Sequence, residues 1–407
     1  MASMPRKLKV AVVGAGFAHS PDGRERFAVR THLPALRALP DLFEVVATCT
    51  TRMETAQESA DHFGIPHAFD SVERMVDELT DLDVVCVSVR PAYHHQVAMP
   101  ALRAGKHVYC EFPMSLNSDQ AKDMHDLAKE QHVKTVVSYQ YHHHPVVRYM
   151  SDLIKDGFIG KPLTFSISDF VGNYIVPRPA HRQWLFQASM GGQPGYRSGR
   201  SLERIRGILG QEITSLSCDY SIKVPERAAV DTGGVIKSDQ VDNMMYLLRT
   251  DGGATGTLQM TQTAWFGSGD RCEVYGTQGM LYLGTEQSSK DWNKEAGDGD
   301  PKRGSYQLSG KRIEIDEYIR DPISPERLQR DFQTLPVPES YYKVSGIDEQ
   351  KGVFCIAQTW AAFHDAIVND HQCQPSFEDG LRIHRLLDAG NESSQNRTWV
   401  DADFSGI

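Results

Sequence analysis

Leu8-Lys-Val-Ala-Val-Val-Gly-Ala-Gly16 is a short β-branched run that stops at a Gly-x-Gly turn. A strand buried on both faces enters a phosphate-binding turn in this way. Glycine is needed because the backbone turns tightly there, and a Cβ would stand between the peptide N–H groups and the anion. The third glycine of the usual fingerprint is missing from its spacing. Phe17 to Val29 is instead a long polar loop containing Ser20-Pro-Asp-Gly23, and helical spacing begins only at Thr31-His-Leu-Pro-Ala-Leu-Arg-Ala-Leu39. Gly-x-Gly alone is a weak motif, so the strand before it and the helix after it carry the assignment.

The same alternation continues downstream. Phe43 to Thr48, Asp83 to Val89, His107 to Cys110 and Val133 to Ser138 read as strands, separated by helical spacing at Met53 to Phe63, Ser71 to Leu79, His95 to Ala104 and Ser118 to Gln131. Strand and helix in turn predict a parallel α/β sheet with right-handed crossovers, which holds ligands beyond the carboxyl ends of its strands. An acid at the end of the second strand would bond an adenosine ribose and repel a 2′-phosphate. The strand runs out as Thr48-Cys-Thr-Thr-Arg52, so Thr51 and Arg52 favour NADP, with NAD as the alternative.

After Ser138 the character changes. Tyr139-Gln-Tyr-His-His-His-Pro145 closes the first domain, and Val146 to Asp156 reads as a helix. Leu163 to Asp169, Ile213 to Val224, Val241 to Leu248, Ala254 to Thr263, Arg271 to Tyr275 and Met280 to Leu283 then read as strands, two of them joined by Asp251-Gly-Gly253. Successive strands with a hairpin signal imply a mostly antiparallel sheet. The expected organisation is a Rossmann dinucleotide-binding domain over residues 1–142 and an α+β domain for substrate and oligomerisation over 143–407. Thr285 to Tyr306 reads as a mobile surface loop, and Gly352 to Val368 and Phe377 to Leu387 as helices packed on the sheet or the domain junction.

Composition narrows the function classes. The 407 residues, 40% hydrophobic and 24% charged, suffice for two domains. A formal charge of -10 argues against nucleic acid or an anionic membrane as a direct partner and favours a small-molecule substrate. No apolar run approaches the ~20 residues that cross a bilayer, and the first residues lead into a strand rather than a signal-peptide core, so a cytoplasmic protein is expected. Seven cysteines without a Cys-x-x-Cys pair predict neither disulfides nor a metal site.

Ala104-Gly-Lys-His-Val-Tyr-Cys-Glu-Phe-Pro113 gives the most specific motif. Together with Gly14-Ala-Gly16, Thr31 to Leu36, Val89-Arg-Pro-Ala-Tyr-His94, Gly157-Phe-Ile-Gly160, Gly191-Gly192 with Gly199, and Tyr275-Gly-Thr-Gln-Gly-Met280, it resembles the glucose-fructose oxidoreductase / inositol dehydrogenase (Gfo/Idh/MocA) family over nearly the whole chain. The resemblance implies an N-terminal Rossmann domain and a C-terminal domain with a large open sheet. It places Gly14, Gly16, Phe17, Val89, Arg90, His94, Glu111, Phe112 and Gln140 at the cofactor, and implies a homodimer or tetramer formed through the second sheet. The loop before Thr31 and the aromatic at 112 are most similar to the branch containing the yeast galactose-pathway repressor, a dinucleotide-binding regulator. Typical members read Glu-Lys-Pro and carry Asp-x-Gly-x-His after the glycine pair. Here Phe112, Arg197 and Ser201 stand at those proton-handling positions.

Three readings follow. The first is an oxidoreductase acting by hydride transfer on a small, relatively apolar organic substrate, held by aromatics such as Phe112, Tyr139, Tyr141, Tyr174 and Trp184. Its proton-handling candidates are His142, His143 and Tyr196, with Arg197 or Arg200 to steady an oxyanion or bind a carboxylate. Beside this stands the ordinary role of each histidine as a hydrogen-bonded strut. The second reading is a non-catalytic, cofactor-sensing regulator, and the third a redox-neutral cyclase, isomerase or lyase.

Overall fold

Leu8–Val13 (β1) is buried except at Lys9, as a central strand must be. This computed structural model describes residues 6–16, 26–285, 306–313, 332–348 and 352–407. Phe17, the Ser20 to Gly23 turn and most of the Thr285 to Tyr306 loop lie outside the described residues. Around β1, five further strands form an all-parallel sheet in the order β3-β2-β1-β4-β5-β6: Phe43–Cys49 (β2), His67–Phe69 (β3), Val84–Val87 (β4), His107–Glu111 (β5) and Thr135–Ser138 (β6). The crossovers are Leu33–Arg37 (α1), Met53–Phe63 (α2), Val72–Glu78 (α3), His94–Arg103 (α4) and Ser118–Glu130 (α5). The helix expected from Thr31 starts instead as a wide turn over Ala28–His32, with α1 following it. Pro34 in the first turn of α1 has no N–H to bond backwards, so the regular helix begins there.

Pro145–Lys155 (α6) leads into the second sheet, Pro162–Phe170 (β7). Ala188–Gly191 (α7) and Gly199–Leu209 (α8) precede the remaining strands, Ile213–Ser221 (β8), Glu226–Ala228 (β9), Val235–Lys237 (β10), Asn243–Thr250 (β11), Thr255–Thr261 (β12), Gly269–Gly276 (β13), Gly279–Thr285 (β14), Tyr306–Arg312 (β15), Gln333–Thr334 (β16) and Val400–Asp401 (β17). Among the described residues, nine of these strands form one sheet in the order β16-β15-β14-β13-β7-β12-β11-β8-β17, antiparallel except where β7 meets β12. β11 and β12 are joined at Asp251 to Gly253, where the hairpin was expected.

Gly352–Val368 (α9) is buried over most of its length. It falls in the stretch assigned to the second domain, yet Ile356, Trp360 and Phe363 pack against Val10, Val12, Leu33, Phe43 and Tyr109 of the first. Phe377–Asn396 (α10) crosses back, packing on β8, α5 and α8, within an apolar cluster that runs through both domains. It extends beyond Leu387 because its polar end is used: Ser393 and Ser394 hydroxyls accept the backbone N–H groups of Cys218 and Tyr220 at 2.8 and 2.9 Å. All seven cysteines are buried and unbridged. No helix among the described residues is long and apolar enough to cross a membrane.

Candidate functional site

The parallel strands bring their carboxyl ends to one edge, and the glycine turn lies there. Gly14 has φ +99°, and a Cβ on it would collide with the Ser88 carbonyl at the end of β4. Gly16 faces a side chain that the sequence did not mark: a Cβ there would lie 3.3 Å from Nε of Arg26 and 3.6 Å from Thr50. Arg26 is pushed to a lower pKa by burial first, then by the charges of Arg90 and Arg52. Arg52 and Arg90 thus add positive charge on the side of the turn where Arg26 lies, which favours an anion there. Thr51 and Arg52 are exposed, while the Thr50 hydroxyl is occupied by Thr55 (2.6 Å) and the Arg52 carbonyl (2.9 Å). Val89 is half-buried beside the turn, and Arg90 reaches across to the second domain, its guanidinium 5.5 Å from the Trp184 ring.

Two residues expected at the cofactor are bonded to groups of the chain itself. His94 is fully buried, Nδ1 lying 2.8 Å from the Pro113 carbonyl and Nε2 3.0 Å from that of Val89. It ties the Val89 turn to the Phe112–Pro113 segment. Glu111 is buried and accepts from Nε2 of His32 at 3.0 Å, while Nδ1 of His32 accepts the Trp360 indole N–H at 3.2 Å. Tryptophan can only donate, so His32 is the neutral tautomer with its proton on Nε2. Gln140 lies half-buried at the end of β6 in a left-handed conformation, φ +45°.

Phe112 meets the second domain. Its ring packs on Tyr139 (5.0 Å between centroids) and Tyr196 (6.1 Å), and the Arg200 guanidinium lies 5.0 Å from its centre. A Cβ on Gly199 would stand 3.2 Å from Phe112, so the bare start of α8 lets the ring in. The preceding turn, Tyr196–Ser198, is clamped from below. The Ser198 hydroxyl meets the Tyr246 hydroxyl at 2.6 Å, which in turn meets that of Tyr220, and Gly195 (φ +74°) leaves no room for a Cβ against the Tyr220 ring. This turn presents Arg197, whose guanidinium lies 4.2 Å from the Tyr174 ring centre and 5.1 Å from that of Tyr196. Burial first, and then Arg200, bring its pKa down to about 9, with Asp169 acting the other way. Burial also raises the Tyr196 phenol, which keeps its proton at neutral pH.

The histidines go elsewhere. His142 holds Glu203 at 2.6 Å through Nδ1, one turn further along α8, and Nε2 is 3.5 Å from Arg148. Nε2 of His143 is buried with no partner, and burial, followed by His142 and Arg148, keeps its pKa well below the usual value. His144 caps α6 by accepting the Val146 N–H at 3.3 Å. His142 therefore ties the start of α6 to α8, and no hydrogen bond or ring contact joins either histidine to Phe112, Tyr196 or Arg197 among the described residues. Tyr141 likewise turns away, onto Tyr306 and His144. No group of His, Cys, Asp and Glu among the described residues converges as a metal site would.

Residues 8–139 match the model of an oxidoreductase family, the Gfo/Idh/MocA NAD-binding Rossmann fold, and residues 147–282 match the C-terminal domain of the same family. Levoglucosan dehydrogenase of Pseudarthrobacter phenanthrenivorans is 24% identical over 97% of this chain and 98% of its own. A solved structure of levoglucosan dehydrogenase in complex with NADH has a TM-score of 0.78 at 24% identity, covering 98% of this chain and 100% of that one. A super-repressor mutant of Gal80p from Saccharomyces cerevisiae has a TM-score of 0.79 at 17% identity, covering 99% and 100%. At these identities the likeness of the structures establishes the fold.

Proposed function

Because the chain belongs to the Gfo/Idh/MocA oxidoreductase family in both of its domains, we propose that it is an NAD(P)-dependent oxidoreductase of a small, largely apolar organic molecule, with NADP preferred. The observation that carries this reading is the glycine turn with Arg26 against Gly16 and the charges of Arg52 and Arg90 acting on it, a setting suited to phosphates. Gly14 and Gly16 would hold the pyrophosphate through bare backbone, and Arg52 with Arg26 would hold a 2′-phosphate. Bound there, a nicotinamide supplies a hydride donor or acceptor. The chain supplies the rest: Phe112, Tyr139 and Tyr196 wall off water, Tyr196 keeps a phenolic proton to give, and Arg197 with Arg200 steadies negative charge on an oxygen.

Purified protein titrated with NADPH and NADH, then offered a panel of enones and ketones, tests this. The expected outcome is about tenfold tighter binding of NADPH, a preference erased in Arg52→Ala, and NADPH oxidation with at least one carbonyl compound. An unchanged ratio in Arg52→Ala removes that residue from the account. Tight cofactor binding with inertness across the panel would favour a second reading, a cofactor-sensing regulator, which the loss of proton-handling side chains at Phe112, Arg197 and Ser201 also suits.

A further inference from the structure

The buried arginines Arg204, Arg206 and Arg227 each donate to protein oxygens. Arg204 sets both terminal nitrogens on Asp270, Arg206 sets Nε and Nη2 on Glu212, and Arg227, stacked 3.7 Å from the Phe186 ring centre, donates to the Tyr174 and Val224 carbonyls. Arg197 is half-buried and is held by rings instead. Its guanidinium is stacked on two tyrosine rings, Nε is buried with no hydrogen-bond partner, and none of its nitrogens is set on a protein oxygen among the described residues. The flat faces of a guanidinium satisfy aromatic rings, whereas its N–H groups point outward in the plane, where only an acceptor can satisfy them. Arg200 and the carboxylate of Asp169 both act on Arg197, in opposite senses.

We propose that this cluster binds a small carboxylic acid, its carboxylate held by Arg197 beside Arg200 and its apolar body laid on Phe112, Tyr174 and Tyr196. The carboxylate accepts paired N–H bonds from the planar fork, which a neutral amide cannot match. The aromatic walls supply the burial that a short acid lacks by itself. This deepens the oxidoreductase reading by naming the charge of its substrate, and it rests on that reading for the position of the cluster beside the cofactor.

The test uses the full-length protein at pH 7, with and without saturating NADPH, and calorimetric titration of acetate, benzoate and phenylacetate, each against its amide. At least one acid should bind about tenfold tighter than its amide, and Arg197→Gln should abolish that difference, with Arg197→Lys, which keeps charge but loses the fork, in between. NADPH affinity, followed separately by its fluorescence, should stay within about twofold in both variants, which also reports that they fold. The proposal is overturned if no acid is preferred to its amide, or if Arg197→Gln keeps the preference. Failure of both dinucleotides to bind, with the Arg197-dependent preference intact, would sink the cofactor reading and leave the acid site standing.

Discussion

A buried imidazole must give up either its charge or its burial, and at His144 burial wins, holding the pKa at about 4. The sign of the pH effect follows. Unfolded, His144 takes a proton near pH 6.5, whereas folded it stays neutral until about pH 4, so its contribution is complete above 6.5 and is lost as pH falls from 6.5 towards 4. That window is worth about 3 kcal/mol from this one group. Denaturant unfolding at pH 7, 5.5 and 4.5 should show a steep loss on acidification, and His144→Asn, which can still cap α6, should flatten it by about one proton. Phe112 illustrates a different dependence between residues. A lysine in its place would set an ammonium under the Arg200 guanidinium, whereas the ring face attracts that cation, so Phe112 and Arg200 suit each other.

Trp360 joins α9 to the nucleotide-binding sheet in two ways. Its ring stacks on Tyr109 with centroids 4.4 Å apart, and its N–H begins the chain through His32 to Glu111 at the end of β5. The two contributions separate by substitution. Trp360→Phe keeps most of the packing and leaves Nδ1 of His32 unpaired in the interior, an expected loss of about 1–3 kcal/mol. Trp360→Ala also opens a cavity and should cost about 3–5 kcal/mol. Urea midpoints of the two variants check the order, and equal losses would mean that the hydrogen bond is immaterial. The helix itself was legible from its apolar spacing, but its destination was not, since a helix buried nearly all round suits either sheet. β3 was missed for a simpler reason: three residues are too few to show alternation.

The second sheet leaves one face of β11 bare. Met244, Tyr246 and Leu248 point into the core, while Met245 and Leu247 on the other side are 42% and 50% exposed. We propose that copies of the chain pair over this face, as the sequence resemblance implied. Light scattering at micromolar concentration should give a dimer or tetramer, and Leu247→Glu should shift it towards monomer without lowering the folded content; a wild-type monomer would refute the pairing. For the molecule as a whole, the sequence by itself determined the alternation that makes a parallel sheet, the hairpin at Asp251 to Gly253, the glycine turn and the arginine at the end of β2. All of these are local, written in the spacing of neighbouring residues. Only the tertiary structure decided that Arg26 returns over Gly16, that α9 packs on the first sheet, that His142 is tied to α8, and that Arg197 lies against the Tyr174 and Tyr196 rings. Those facts depend on which distant segment buries a side chain and what charge it meets there, and spacing along the chain carries no record of either.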